Sequence, residues 1–514
     1  MTAKTPAAPL DRLDATLATR SGLRVRIVCP SQEFSAQEMS FGVGRWLSSS
    51  RGLWESLNVA SDNGLALIML QAPPVGAGVE DYLLGVVPSS TACADDRRAR
   101  HALVEIDDDS DRHLSEKVLD DARLVRRLRR TLDAARRSGH TVEGLACFAS
   151  SRRMAALARA LGTNLLEADP QMLGWGDKSG SRQLFRSAGV SHLPGSYVAD
   201  HDVASLAARL SALVRAHGPG NWVVKLDRGF GSGHGNALVA IGTDCPAAIE
   251  RELCTTLRPM GPGVRRAHFL NWLRQEGAIV EQHVRSASAG RLRYPSALAF
   301  LSRGQDTRIR VESLGVHDQH VGVSGDFLGC RYPADRTYRD EVARQAAQVF
   351  SALAARGVVG HVGVDFIVAS FGAGSVTPSL FATEINVRQT GSTHPNRTVR
   401  AVVPLARDTS GELRHRDGHD VCFRATDSVL VPSCRGLSTE ELIGALRRSP
   451  RLSLNSAVER GVVPHLWPAF GRFGKVGATV IGRSADECDL LMSEFTELLE
   501  SLGNRVAQFP EAVV

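Results

Sequence analysis

Short apolar runs and helical periodicity alternate along the first third of the chain. Leu23–Cys29 (LRVRIVC) alternates polar with apolar positions and stops at Pro30, which predicts a strand. Leu65–Leu70 (LALIML) is continuously apolar and is closed by Pro73 and Pro74, which predicts a buried strand. Between Leu114 and Ser138 the apolar positions Leu119, Ala122, Leu124, Leu128 and Leu132 fall on one helical face. Arg123, Arg126, Arg127, Arg129 and Arg130 then form the solvated face. Leu145–Ala149 reads as a further strand and Arg153–Leu161 as a further helix. Strands alternating with helices imply an α/β layer domain. No GxGxxG follows any of these strands, so a dinucleotide site is not expected in this region. The residues up to about 20 read as a loose polar leader.

Past the middle of the chain, Ala406–Asp420 crowds polar and charged residues and reads as a linker. Thr439–Arg447 reads as a helix, Ala478–Ile481 as a strand and Ala485–Leu502 as a closing amphipathic helix. A chain of 514 residues exceeds one ordinary domain. Its apolar fraction of 43% excludes a disordered chain. A net charge of +6 with only 5% aromatic residues gives no case for nucleic acid. The nine cysteines form no CxxC pair and no zinc spacing, so free thiols in a reducing cytoplasm are expected. The N-terminal stretch has no apolar signal region, and no run reaches the roughly 18 apolar residues of a membrane helix. The expected protein is cytoplasmic and makes no membrane contact.

Only five of the 61 basic residues are lysines. Lysine is a compact point charge that arginine does not replace beside a crowded phosphate, so each lysine in a glycine-rich or capping context draws notice. Lys178 follows Asp177 at a helix start, where the backbone N–H groups favour an anion and Asp177 can serve as cap. Lys225 lies on the strand Asn221–Leu226, and the glycine-rich turn Gly229-Phe230-Gly231-Ser232-Gly233-His234-Gly235 leads into another strand. Strand, glycine loop and strand make a hairpin, whereas Walker A and Rossmann turns run into a helix. Four glycines in seven residues let the backbone approach a polyphosphate. Farther on, the strand Ala278–Val284 stops at a polar bend. The strands Val362–Val368 and Leu380–Arg388 flank a turn rich in Gly, Ser and Pro. Residues two apart on a strand share a face, so Glu384, Asn386 and Arg388 point together and Asp365 joins them across the hairpin. Two carboxylates and an amide oxygen are the hard donors that Mg2+ prefers, and Arg388 can neutralise a transferring phosphoryl group.

This order of pieces resembles the ATP-grasp superfamily, in which an adenine nucleotide lies between two α+β lobes. The resemblance implies that Lys178 and Lys225 contact the nucleotide. It implies that Gly229, Gly231, Ser232, Gly233 and Gly235 form the lid over the phosphates, and that Glu281 and Val284 form the adenine hinge. Asp365, Glu384 and Asn386 match the metal ligands, with Arg388 two residues after the last. The gap of 19 residues from Asp365 to Glu384 is longer than the family's usual dozen. The segment from Arg285 to Arg293 lacks the acidic residue that often holds the ribose. More narrowly, HLSEKVL from His113, GDKSGSRQLFRSAGV from Gly176, EINVRQTGSTHP from Glu384 and AFGRFGKVGATVIG from Ala469 resemble the pheganomycin-type peptide ligases.

The resemblance implies α/β and α+β layers. A leader at 1–20 and an α/β pre-ATP-grasp domain at 21–168 are expected. An ATP-grasp domain at 169–405 follows, with its lid lobe at about 195–280, and then a small C-terminal domain at 406–514. ATP and Mg2+, with Mn2+ as an alternative metal, are the expected cofactors. The substrates would be a small carboxylate and an amine or peptide, and a homodimer is compatible with the sequence. The expected reaction passes through an acyl phosphate, gives an amide, ADP and phosphate, and serves specialised metabolism. Arg388 and Arg310 would assist it catalytically. Gly391, Ser392, Thr393 and His394, just past the metal strand, would touch substrate. The alternatives are an ATP-grasp kinase and a nucleotide-binding regulatory protein without turnover.

Overall fold

The computed structural model describes residues 7–40, 43–87, 93–229, 233–284, 292–304, 306–322, 327–369, 379–406, 411–454 and 459–508. They fall into two compact units. The first takes the chain up to Glu33, Met39–Pro170 and the chain from Arg388 onward; the second takes Phe34–Glu38 and Gln171–Val387.

The first unit begins with a four-stranded parallel sheet. Its strands are β1 (Arg24–Cys29), β2 (Leu65–Gln71), β3 (His101–Glu105) and β4 (Thr141–Cys147), in the order β3-β2-β1-β4. Every residue of β2 is buried, as an apolar run covered on both faces requires. The leader is a correction: Ala7–Thr19 is a helix. Leu10, Leu13 and Leu17 recur at three and four residues and pack into the same core as Val25, Ile68 and Leu128. The expected single helix from Leu114 to Ser138 is two, Leu114–Asp120 and Ala122–Arg137. Asp121 breaks the run because its carboxylate accepts the N–H groups of Arg123 and Leu124 and caps the second helix. Arg127 is not simply solvated: it pairs with Asp11 and Asp14 of the first helix, each at 2.7 Å.

The second unit holds two antiparallel sheets. One has the order β7-β6-β5-β8, with β5 at Gly220–Leu226, β6 at Asn236–Ile241, β7 at Arg258–Pro259 and β8 at Ala278–Gln282. The other has the order β13-β12-β9-β10-β11. Its strands are β9 (Pro295–Arg303), β10 (Ile309–Val321), β11 (Phe327–Tyr332), β12 (Gly360–Ala369) and β13 (Ser379–Asn386). The helix Arg336–Ala355 covers this sheet with Val342, Ala346, Val349 and Leu353, spaced as one apolar stripe.

The chain from Arg388 onward returns to the first unit. It contributes the antiparallel strands β14 (Cys422–Leu430), β15 (Gly461–His465) and β16 (Lys475–Gly482), with β16 in the middle. This segment does not stand apart as the separate domain expected at 406–514. Tyr82 donates to the Val462 carbonyl at 3.2 Å and Thr439 to the Ala77 carbonyl at 2.9 Å. Leu47 packs against Leu466 and Ala469. Such contacts join residues hundreds of positions apart, which no local pattern reports.

Candidate active site

Lys178, Arg182, Lys225, Asp227, Glu281, Asp365, Glu384 and Asn386 all belong to the second unit. The helix Lys178–Ala188 starts at Asp177, whose side chain makes no capping bond. Asp227, from the loop after β5, caps the helix instead. Ser179 N donates to Asp227 Oδ1 at 2.7 Å, Ser179 Oγ donates to Oδ2 at 3.0 Å, and Lys178 N donates to the Asp227 carbonyl at 3.0 Å. Asp177 turns to Arg228, with Nε to Oδ2 at 3.2 Å, and burial together with repulsion from Asp227 raises its carboxyl pKa. Lys178 Nζ lies 2.9 Å from Glu384 Oε1 and 3.5 Å from the Gly229 carbonyl. The helix start, the root of the glycine hairpin and β13 therefore meet at one ammonium group. Gly229 has φ +64, a left-handed backbone that favours glycine at the hairpin root, and Glu38 Oε2 lies close to it. Gly233 and Gly235 close the hairpin through Asn236 N and Leu226 N respectively. Gly231 and Ser232 lie outside the described residues.

Lys225 and Arg182 share one buried carboxylate. Glu281 is 2% exposed; Lys225 Nζ pairs with its Oε2, and Arg182 Nη1 lies 2.5 Å from its Oε1. Burial by itself would raise this carboxyl, but the two cations outweigh it and hold the pKa below the usual glutamate value. Arg182 also donates to the carbonyls of Ser196 and Leu193, each at 2.7 Å, so its fully buried guanidinium is well satisfied. Thus the side chain of Glu281 is spent inside the protein, and only its backbone could serve an adenine. Val284 lies two residues past the end of β8 and is half-buried.

The metal candidates come together across β12 and β13. Asp365 stands opposite Glu384 and Gly363 opposite Asn386, with a bulge between Asp365 and Phe366. Asn386 Nδ2 donates to Asp365 Oδ2 at 2.9 Å, and Gln319 Nε2 donates to Asp365 Oδ1 at 2.7 Å. The long gap before Glu384 is thus taken up by the hairpin connection, residues 370–378, which lie outside the described residues. The donor set suits Mg2+: two carboxylates and an amide oxygen are hard ligands, and a cation, the Lys178 ammonium, already neutralises Glu384. Gln319 and Asp227 escape the sequence reading. A glutamine at mid-strand and an aspartate in a loop carry no signal until the fold brings them to Asp365 and Ser179.

Other expected site residues are placed elsewhere. Arg310 is exposed and pairs in register with Ser302, whereas Asp365 pairs with Ser296 on the same strand. Six residues of strand, roughly 20 Å at about 3.3 Å each, separate the two levels, beyond the span of an arginine side chain. Arg388 follows β13 and donates to the Gln389 carbonyl at 3.0 Å. Gly391 and Ser392 lead into the helix Thr393–Val402, and Ser392 and Thr393 are each 2% exposed. Thr393 Oγ1 accepts from Thr390 N at 2.9 Å, a local turn bond. His394 is also buried, with Nε2 3.2 Å from His465 Nε2, and its enclosure beside His465 and Arg51 drives its pKa well below the usual histidine value. A side chain so enclosed in the free protein does not present itself to substrate.

Lys178, the root of the glycine hairpin, Glu384, Asp365 and Asn386 are the candidate residues of an ATP-grasp site. No protein-family model matches the chain. Among solved structures the chain is similar to the biotin carboxylase of Campylobacter jejuni, described as a β,γ-ATP complex. The identity is 11%, covering 94% of this chain and 95% of that one, with a TM-score of 0.52. It is equally similar to the biotin carboxylase domain of Hydrogenobacter thermophilus 2-oxoglutarate carboxylase, crystallised with MgADP. There the identity is 12%, covering 94% of each chain, with a TM-score of 0.52. At such identities these likenesses establish the fold. In sequence, the chain is 31% identical over 448 residues to the L-propargylglycine–L-glutamate ligase of Streptantibioticus cattleyicolor, covering 83% of this chain and 84% of that one. The chain belongs to the ATP-grasp peptide ligases of the pheganomycin type. No helix among the described residues is long and apolar enough to cross a membrane.

Proposed function

We propose that this ligase activates the carboxylate of one amino acid or amino-acid-like acid and joins it to the amine of a second amino acid or a peptide. The observation that carries the reading is the relative's likeness over most of both chains, since its name pairs two amino acids. Lys178 and Lys225 would hold the phosphates of ATP, exchanging their present partners Glu384 and Glu281 for phosphate oxygens. Asp365, Glu384 and Asn386 would hold Mg2+, which when bound withdraws charge from the phosphate oxygens; Mn2+ suits the same donors. Arg388, two residues after Asn386 in the chain, is the candidate for charge beside the transferred phosphoryl group. The substrate carboxylate attacks the γ-phosphorus, ADP leaves, and the amine displaces phosphate from the acyl phosphate. Positioning and charge neutralisation supply most of the rate.

The test follows one oxygen atom. A pool of amino acids labelled with 18O in the carboxylate is supplied with ATP, Mg2+ and candidate amines. Labelled inorganic phosphate, with ADP and an amide, is the expected result. Hydroxylamine in place of the amine should give a hydroxamate. A phosphorylated product without phosphate release would make the protein a kinase, and AMP with pyrophosphate would overturn the acyl phosphate.

A further inference from the structure

In the first unit, His394, Asp427 and His465 form a closed cluster. His394 comes from the first turn of the helix Thr393–Val402, Asp427 from β14 and His465 from the end of β15. All three are buried, and one ligand atom of each lies within 4.8 Å of the others. His394 and His465 border a small pocket of about 10 Å3, roughly the room of one water, lined also by Ser50, Arg51, Trp54 and Thr479.

The atoms that meet are three Lewis bases. His394 Nε2 and His465 Nε2 are 3.2 Å apart, His465 Nε2 and Asp427 Oδ1 are 2.7 Å apart, and His394 Nε2 and Asp427 Oδ1 are 3.9 Å apart. A proton on His465 Nε2 can be donated to Asp427 or to His394, and no arrangement of protons satisfies all three contacts at once. If His394 then carries its proton on Nδ1, that N–H is also stranded. The Nδ1 atoms of both His394 and His465 are buried without a hydrogen-bond partner. Asp427 Oδ2 is taken by Arg51, which leaves Oδ1 for the cluster and fixes the carboxylate's orientation.

We propose that His394, Asp427 and His465 bind one divalent transition-metal ion, zinc being the best match, with water from the adjoining cavity as fourth ligand. A single cation at the centre satisfies the three converging lone pairs together. The separations bracket the roughly 3.3 Å edge of a tetrahedron built on Zn–N and Zn–O bonds of about 2.0–2.1 Å. Two imidazoles and one carboxylate suit zinc better than Mg2+, which prefers oxygen and keeps several waters. Arg51 on the far carboxylate oxygen is the outer-shell contact such a ligand needs. The ion would staple the helix that follows the metal strand to β14 and β15, ligands 33 and 38 positions apart in the chain.

The test uses the full chain, stripped with a chelator and reloaded with zinc or cobalt(II). One equivalent of zinc should survive gel filtration in both the wild type and Glu384→Gln, which removes the other metal site's carboxylate. Cobalt(II) should give the intense visible absorption of a tetrahedral centre. His465→Ala and Asp427→Asn should each weaken zinc binding by at least about tenfold, the lower range known even for loss of an outer-shell partner. Retention of the full equivalent by His465→Ala, or a wild-type chain that holds no zinc, overturns the proposal. If both variants fail to fold, the wild type decides alone: its Tm should rise with zinc up to one equivalent and fall back with chelator, and an unchanged Tm overturns the site.

Discussion

Lys178 Nζ stands 2.9 Å from Glu384 Oε1, so the ammonium at the helix start neutralises the carboxylate on β13. If the proposed roles hold, both groups change partner when nucleotide and Mg2+ bind.

Replacing Glu384 by Gln keeps the shape and removes the charge. Turnover should fall by at least about a hundredfold, since charge stabilisation at such a metal is worth several kcal/mol. The fold should persist, because Lys178 keeps the Gly229 carbonyl. Steady-state ADP release and a thermal melt check this; near-normal activity with an unchanged Mg2+ requirement would remove Glu384 from the site.

Lys225→Arg should fail almost as badly as Lys225→Ala. Glu281 is walled in by Arg182, and a planar guanidinium needs more room than an ammonium beside it and beside the glycine hairpin. The KM for ATP should rise at least about tenfold in both variants while Arg182 keeps Glu281 paired and the protein folded. Full ATP affinity in Lys225→Arg would make this lysine a structural cation only.

The Glu281 cluster also sets an acid dependence. Its carboxyl is held below the unfolded value of 4.5, so the unfolded chain binds the proton more readily. The stabilisation is therefore present above pH 4.5 and is lost as pH falls through the folded value. Glu281→Gln should destabilise by about 3–5 kcal/mol at pH 7, because it leaves buried cations underpaired. The gap between wild type and variant should narrow below pH 4.5. Denaturant melts at several pH values measure it, and a gap independent of pH would show that the pair does not carry this charge.

Asp227→Ala removes a cap supplied from outside the helix. A loss of about 0.5–2 kcal/mol is expected, together with weaker ATP binding, because Ser179 and Lys178 lose their anchor. Asp177→Ala, whose side chain does not cap, should cost less. Equal losses in the two variants would reverse the assignment made from the geometry.

That Asp365, Glu384 and Asn386 meet across β12 and β13 was legible because Glu384 and Asn386 obey the two-residue repeat of a strand and Asp365 precedes a turn. Lys178 and Lys225 drew notice because lysine is so scarce here. The cap from Asp227 was not, since Asp177 occupies the expected position and only tertiary placement sends it to Arg228. The level of Arg310 along β10, six residues of strand from that of Asp365, is set by sheet register, which no local pattern reports. The first helix was missed because Leu10, Leu13 and Leu17 are diluted by polar neighbours over a short stretch. His394, Asp427 and His465 share no spacing signature, and β14 and β15 bring them together only once paired to β16.

The first unit is made from both ends of the chain, and this dictates an order of synthesis. The ribosome releases β1 to β4 first, then the whole of the second unit, and only afterwards the segment that supplies Val462 to Tyr82, Asp427 to Arg51, and Leu466 with Ala469 to Leu47. Until then those early side chains lack their partners, and their apolar surface is exposed to aggregation. A stop codon inside the second unit would therefore leave the first unit unfinished, however complete its parallel sheet. The second unit, apart from the short Phe34–Glu38 segment, is continuous and has all its strands in hand before the chain reaches Arg388.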